Sequence, residues 1–239
     1  MIINKLDTVA SIVTRNLQSA AIFNMYGIDF CCRGGRTLED ACIEESVSLG
    51  EILDVLWELD TKSNRLPDFG NMRIDMLADY IKRNHHSYTE RKLVFIRNNI
   101  GRLIRDHQPN HQELAQIQKI FEDLSVDLRI HMKQEEFMIF PYIKTMIKKR
   151  SINSKLFKTI QDPIIAMKDD HDNEEKSFDK LSDLTHNYNI PRRSYYALKA
   201  TYAAMKDLEE DLKIHMHLEN NILFPKAIKF ELELKHKNN

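Results

Sequence analysis

The chain has 239 residues, 42% hydrophobic and 30% charged, with only 6 Gly and 6 Pro. That is enough apolar material for a substantial core, and it suits long amphipathic helices better than a β-sandwich. The 35 basic and 36 acidic residues leave a net charge of −1, which argues against a phosphate-binding surface as the main purpose, so no nucleic-acid partner is expected.

No apolar run approaches the roughly 20 residues needed to cross a bilayer. The start, Met1-Ile2-Ile3-Asn4-Lys5-Leu6-Asp7, lacks the charged-then-apolar order of a signal peptide. No membrane association is expected, and the cytoplasm is the default location.

Residues 1–60 read as a small helical domain. Apolar residues at helical spacing from Ala10 to Tyr26 predict a helix stopped by Gly27. Asp29 to Arg36 reads as a loop carrying Cys31-Cys32 and Gly34-Gly35. Thr37-Leu38-Glu39-Asp40 and Ser48-Leu49-Gly50-Glu51 look like helix starts, the second with a capping box. The polar stretch 61–71, with Pro67 and Gly70, reads as a linker.

Three cysteines, Cys31, Cys32 and Cys42, are not a secreted disulfide framework. A disulfide between the neighbours Cys31 and Cys32 would be strained, so reduced thiols are expected. Arg33 and Arg36 stand close in sequence, and positive charge there would lower a thiol pKa and favour reactive thiolate. The alternative is one buried thiol and one idle one. Cys42 has no assignable role.

Residues 72–239 read as four long helices: Met72 to His107, Asn110 to Lys149, Lys155 to His186 with Pro163 in its early turns, and Pro191 to Leu234. No strand-like alternation competes, so the fold class is all-α, an antiparallel four-helix bundle preceded by the small domain. Pro141 and Pro225 fall inside the second and fourth helices and are expected to bend them.

The second and fourth helices share a repeat. Asp127-Leu128-Arg129-Ile130-His131-Met132 returns 84 residues later as Asp211-Leu212-Lys213-Ile214-His215-Met216. Each copy continues with a Glu four residues after the His (Glu135, Glu219) and then Phe-Pro (Phe140-Pro141, Phe224-Pro225). Residues four apart share a helix face, so each copy offers an imidazole beside a carboxylate.

The inward stripes are Leu124, Leu128, His131, Glu135, Met138, Tyr142 and Leu208, Leu212, His215, Glu219, Ile222. His85 and His171 stand in the first and third helices, 46 residues before His131 and 44 before His215. Successive antiparallel helices would bring them to one depth.

Four neutral nitrogen donors and two carboxylates then meet in one layer: His85, His131, Glu135, His171, His215 and Glu219. Two metal ions could each take two imidazoles and share the glutamates as bridges, which favours a redox-capable iron or manganese pair. A lone His-x-x-x-Glu is usually a surface pair. Here both pairs fall in register with apolar stripes, and buried carboxylates without a cation would be costly.

His86 neighbours His85, so either could be the ligand; the stripe Ile74, Ala78, Ile81, His85 favours His85. His217, about 200° around the helix from His215, should face away. Glu175 and Glu90, four residues after His171 and His86, read as solvated partners, with Glu175 a reserve ligand. His107, His111, His186 and His236 sit near helix ends, and Met132, Met138, Met146, Met205 and Met216 read as core filler.

His131-x-x-x-Glu135 with Phe140-Pro141, and His215-x-x-x-Glu219-Asn220-Asn221-x-Leu223-Phe224-Pro225, resemble the hemerythrin-like di-iron domain. Gly27-Ile28-Asp29-Phe30-Cys31-Cys32-x-Gly34-Gly35 followed by Thr37-Leu38 resembles the short domain that precedes it in the iron–sulfur cluster repair (repair of iron centres) family.

The resemblance covers nearly the whole chain. It implies two iron ions in a carboxylate-bridged centre on His85, His131, Glu135, His171, His215 and Glu219, with the paired thiols at Cys31 and Cys32 as candidate redox or iron-transfer groups. It also implies a cytoplasmic bacterial homodimer that restores iron–sulfur clusters damaged by nitric oxide or oxidants, donating iron and reacting with NO. Its partners would be damaged iron–sulfur proteins or a cluster scaffold, with NO and O2 as small ligands.

Two other functions fit the same ligands: an O2- or NO-binding sensor or carrier, and an NO-reducing enzyme. The dithiol domain favours the repair protein, an iron donor rather than a turnover enzyme.

Overall fold

The computed structural model describes residues 3–62, 67–107, 112–152, 157–190 and 196–238. Among these the chain is built from eight helices, and extended pairing is limited to an isolated bridge between Thr8 and Thr37.

The N-terminal unit holds α1 (Val9–Arg15), α2 (Ser19–Met25), α3 (Leu38–Glu44) and α4 (Leu49–Lys62). The hydroxyls of Thr8, Thr37 and Ser48 accept the backbone N–H of Ser11, Asp40 and Glu51 at 3.2, 3.1 and 3.4 Å, satisfying first-turn donors that the helix leaves unpaired.

The single helix expected over Ala10 to Tyr26 is instead two. Asn16 leaves helical geometry (φ −148°, ψ 99°) and its side-chain oxygen accepts the N–H of Gln18 at 3.1 Å, the local bonding by which Asn competes with a helix. Gly27 does end α2, at φ +70°.

Three of the four long helices contain a π turn. In α5, Ile74–Ile81 passes through a π turn at Lys82–His86 into Ser87–His107. In α6, Gln112–Gln134 meets a π turn at Glu135–Ile139 before Phe140–Lys149. Helix α7 (Gln161–Leu184) is unbroken. In α8, Tyr196–Leu218 meets a π turn at Glu219–Leu223 before Phe224–Asn238. Asn110, His111, Lys155 and Pro191, and residues 63–66 of the expected linker, lie outside the described residues.

A π turn inserts one extra residue and shifts the face presented by everything after it. In α6 this puts Ile139 in the core and leaves Met138, expected inside, 41% exposed. The other four methionines expected as filler are buried. Pro141 and Pro225 each follow a π turn as the second residue of the resumed α-helix, where the wider turn has already given up the regular bonding that a proline breaks.

The bundle is antiparallel and has two apolar cores. One gathers the start of α5, the end of α6, the start of α7 and the end of α8 around Leu77, Ile81, Ile143, Ile164 and Phe224. The other gathers the opposite ends around Leu93, Ile100, Phe121, Leu128, Leu181 and Leu208. The histidines and glutamates lie between them along each helix.

A third core belongs to the N-terminal unit and takes in Phe23, Phe30, Leu38 and Leu56, with Ile214 of α8 packed against it and Met216 of α8 inside it. Burying that side chain contributes on the order of 2 kcal/mol and seats the unit on the helix that carries His215 and Glu219.

Candidate metal centre

Glu135 and Glu219 are 0% exposed. Each opens the π turn of its helix, and each projects between the two apolar cores. Their oxygens fall among four imidazoles. Glu135 Oε2 lies 3.3 Å from His86 Nε2, 3.5 Å from His131 Nε2 and 3.9 Å from His215 Nε2. Glu219 Oε2 lies 3.2 Å from His171 Nε2, and its Oε1 lies 2.8 Å from His215 Nε2. Nε2 of His131 and of His171 are 3.3 Å apart.

The donors form two groups, His86, Glu135, His215, Glu219 and His131, His171, Glu219, each with its ligand atoms within 4.8 Å of one another. Glu219 belongs to both groups, and Glu135 reaches an imidazole of each.

Five of the six residues expected in one layer come together there. His85, the sixth, does not join either group; His86 takes its place. The cause is the π turn at Lys82–His86. In a regular helix Ile81 and His85, four apart, would share the inward face. With the inserted residue, the inward partner of Ile81 is His86, five apart. His85 instead points its Nδ1 at Asp211 Oδ1, 3.1 Å away, and its ring stacks beside His215 with centroids 5.8 Å apart.

Two of the four outer nitrogens are held as metal-ligand histidines commonly are, by a carboxylate or carbonyl that fixes the ring and its tautomer. His86 Nδ1 pairs with Glu136 Oε1 at 3.0 Å, and His171 Nδ1 with Asn220 Oδ1 at 3.2 Å. His131 Nδ1 lies 3.6 Å from Asp170 Oδ2 and 3.8 Å from Glu174 Oε1.

Electrostatics set the pairs against each other. Burial and the neighbouring Glu219 would raise the Glu135 pKa, but His131 and His86 outweigh them and hold it below the ordinary carboxylate value. Burial would lower His131, yet Glu135, then Glu174 and Asp170, hold it well above the ordinary value. Burial pushes His215 well down, with the nearby His86 acting the same way. Burial raises Glu174 to about 7 against the pull of His131 and His171.

The donor set fits a pair of divalent or trivalent cations. Both oxygens of Glu135, Oε2 of Glu219, Nε2 of His86 and Nδ1 of His215 are buried without a hydrogen-bond partner. Left so, they would cost several kcal/mol; cations sharing the glutamates would compensate the carboxylate oxygens and His86 Nε2. A cavity of about 240 Å³ between α6 and α7, lined by Asp127, His131, Gln134, Asp170 and Glu174, reaches this layer from the His131 side.

Several residues around the layer were not read from the sequence. Asp127 and Asp211 open the repeated hexapeptide, four residues before each His, which was a usable signal. Glu174, three residues after His171, offered a weaker one. Glu136 and Asn220 occupy the same position of the two copies but differ in type, so comparing the copies hides them.

His217 does face away from the metal layer, and it is buried rather than idle. Its Nε2 meets Thr14 Oγ1 at 3.2 Å and its Nδ1 the Phe30 carbonyl at 3.3 Å, joining α8 to the N-terminal unit.

Of the two readings of the thiols, activation by arginine does not hold. Arg33 and Arg36 turn their guanidinium groups to Glu44 rather than to sulfur. Cys31 is buried, and a hydrogen bond with Cys32, burial, and the Asp29 carboxylate hold its pKa well above the ordinary thiol value. Cys31 is therefore a protonated thiol, not an arginine-activated thiolate. All three cysteines are free, and Cys42 is packed in the N-terminal core.

Comparison with known proteins agrees with this geometry. Residues 79–227 match the hemerythrin HHE cation binding domain, and residues 5–60 match ScdA_N, described as a domain of unknown function (DUF542). The iron-sulfur cluster repair protein ScdA of Staphylococcus haemolyticus is 28% identical over 231 residues, 95% of this chain and 99% of that one. The iron-sulfur cluster repair protein YtfE of Musicola paradisiaca is 29% identical over 221 residues, 90% and 92% of the two chains.

A probable iron-sulfur cluster repair protein of Haemophilus influenzae is 30% identical over 214 residues, 87% and 90% of the two. With one family model covering more than half of its length and relatives aligned over most of theirs, this chain, in which a hemerythrin HHE domain follows an ScdA_N domain, belongs to the iron–sulfur cluster repair family.

Proposed function

We propose that the chain binds two iron ions through His86, His131, Glu135, His171, His215 and Glu219, and works in the repair of iron–sulfur clusters damaged by nitric oxide or oxidants. The observation that carries this is the pair of fully buried glutamates whose orphaned oxygens are ringed by four imidazoles. The names of the relatives supply the repair role. His86 replaces His85 in the ligand set because it is the one that reaches Glu135.

An iron pair held there supplies a redox-variable centre that can take NO or O2. The protein supplies the rest. His86 and His215 would help hold one ion and His131 and His171 the other, with Glu135 and Glu219 available to both. Glu136 and Asn220 keep the outer nitrogens of His86 and His171 engaged, so that the inner nitrogen of each stays a lone-pair donor. The apolar cores on either side keep bulk water out. The cavity at His131 is wide enough for a diatomic ligand or a departing ion.

In this reading iron is also the cargo, delivered to a damaged cluster protein or scaffold in the bacterial cytoplasm. The expected assembly, a homodimer, is checked by mass in solution.

The test is repair. Iron-loaded protein, its metal content measured first, is incubated with an NO-inactivated iron–sulfur hydratase, and recovery of the hydratase activity is followed. Recovery that scales with iron lost from the protein supports the proposal. No recovery from protein shown to carry iron contradicts it, and reversible NO binding in that same protein would place it with the sensors and carriers.

A further inference from the structure

Among the described residues, one more set of ligand-type side chains converges outside the metal layer. It lies where the Cys31-Cys32 loop meets α7. Asp29, Cys31 and Glu175 have ligand atoms within 4.8 Å of one another, and so do Cys32, Asp172 and Glu175. Glu175 is common to both groups. It stands one helical turn beyond His171 on α7 and turns to the N-terminal unit while Glu174 turns to His131.

The loop is built in advance of any ligand. Asp29 Oδ1 accepts the backbone N–H of Cys31 and of Cys32 at 2.8 and 3.1 Å, and its Oδ2 that of Arg33 at 2.8 Å. Oδ2 keeps a lone pair for a metal. At Gly34 any side chain would collide with the Phe30 carbonyl and come within 2.8 Å of the Ala10 methyl, so the chain closes tightly behind the thiols. From the bundle, Asn221 Nδ2 donates to the Cys31 carbonyl at 2.9 Å. Asn220 Nδ2 donates weakly to Cys32 Sγ at 3.8 Å, and the same amide holds His171 through its oxygen.

Two thiols and three carboxylates share this space. Lys213, a cation that acts on Cys31 and Glu175, is bonded to Glu209 at 2.8 Å. Burial, followed by Asp29 and Asp179, raises Glu175 to about 7. A cation would relieve that repulsion. Thiolate with carboxylates suits a borderline divalent ion such as Fe²⁺, Zn²⁺ or Co²⁺, whereas Mg²⁺ and Ca²⁺ take all-oxygen sets.

We propose that Glu175, with Cys31 and Asp29 on its inner side and Cys32 and Asp172 on its outer side, is a second cation site that takes one borderline divalent transition-metal ion per chain. Binding forms a metal–sulfur bond as the thiol proton leaves to solvent, with no change of oxidation state. Resting on the proposed function, this would put a second ligand set one helical turn from His171.

The test is a Co²⁺ titration of the full chain, isolated with its own metal content, under argon with a phosphine reductant. The readout is the thiolate-to-cobalt charge-transfer absorption, which imidazole and carboxylate ligands of the bundle do not produce. The proposal expects the band to saturate at one Co²⁺ per chain, to persist in Cys42→Ser, and to vanish in the double variant Cys31→Ser/Cys32→Ser. In Glu175→Gln, which keeps the shape, the midpoint should rise by roughly tenfold or more.

No band in the wild type, or a band whose midpoint is unmoved by Glu175→Gln, overturns it. Iron counted in the same samples reports on the bundle separately, so a bundle without iron would leave the thiolate band as the measure of this site.

Discussion

In the first helix pair the residue after the buried glutamate is Glu136, whose carboxylate holds His86 at 3.0 Å. In the second pair the equivalent residue, 84 positions on, is Asn220, whose amide holds His171 at 3.2 Å and leans on Cys32. One position further, Phe137 is 70% exposed, while Asn221 donates to the Cys31 carbonyl.

The inner face of the duplication is thus nearly identical in its two copies, and the outer face is not. A repeated ligand pair can be kept because the metal layer constrains it, while the neighbouring positions change to suit what covers each copy. In the first copy solvent covers the helix; in the second the N-terminal unit does.

The largest effects should come from testing the shared inner face. Glu135→Ala and Glu219→Ala each remove a carboxylate that reaches imidazoles of both groups, so both variants should lose most of their iron by metal analysis. A variant that lost only one ion would break the equivalence of the two glutamates.

Next is the joint between the pairs. Glu231 on α8 accepts the Tyr142 hydroxyl at 2.6 Å, the Ile160 N–H at 2.9 Å and the Thr159 hydroxyl at 2.7 Å, and pairs with Lys235 at 2.8 Å. No matching carboxylate exists in the first copy, where the equivalent residue is Ile147. Glu231→Ala should destabilise the protein by about 3 kcal/mol in urea unfolding.

Burial would raise the Glu231 pKa, but Lys235, Tyr142, Thr159 and the Ile160 N–H outweigh it and hold it below the ordinary value. Protons therefore bind the unfolded chain more readily. The contribution of Glu231 is full above the unfolded carboxylate pKa of roughly 4.3 and is lost as pH falls through its lower folded value. The stability gap between wild type and Glu231→Gln should accordingly narrow below about pH 4. A gap that widened would contradict the sign.

Smaller again are the outer-shell residues. Glu136→Ala and Asn220→Ala should each weaken iron retention against a chelator by roughly 10- to 100-fold. Only Asn220→Ala should also change the rate at which Cys32 reacts with a thiol reagent, since only Asn220 touches it. The smallest effect separates the outer faces: Asn221→Ala should cost about 1 kcal/mol, and Phe137→Ala less than about 0.5 kcal/mol.

Much of this was readable in the sequence. Apolar stripes at helical spacing predict the bundle, the repeated His-x-x-x-Glu places four of the six inner donors, and the spacing of the helix pair adds His171, because ligands on a regular stretch of helix follow its period. His85 and Met138 were misplaced for one reason. A π turn adds a residue without leaving a mark in the pattern of apolar and polar residues, so the faces after it slip by one. The thiol environment was misread for another: Arg33 and Arg36 are neighbours of the cysteines in sequence, but their charge is spent on Glu44 across the unit.

The central claim is a two-iron centre whose first ligand is His86. Counting iron per chain in the wild type, His85→Ala and His86→Ala tests it most directly. The account expects two ions in the wild type, two in His85→Ala, and at most one in His86→Ala. A wild type holding no iron or only zinc, or a loss of iron in His85→Ala with His86→Ala intact, would contradict it.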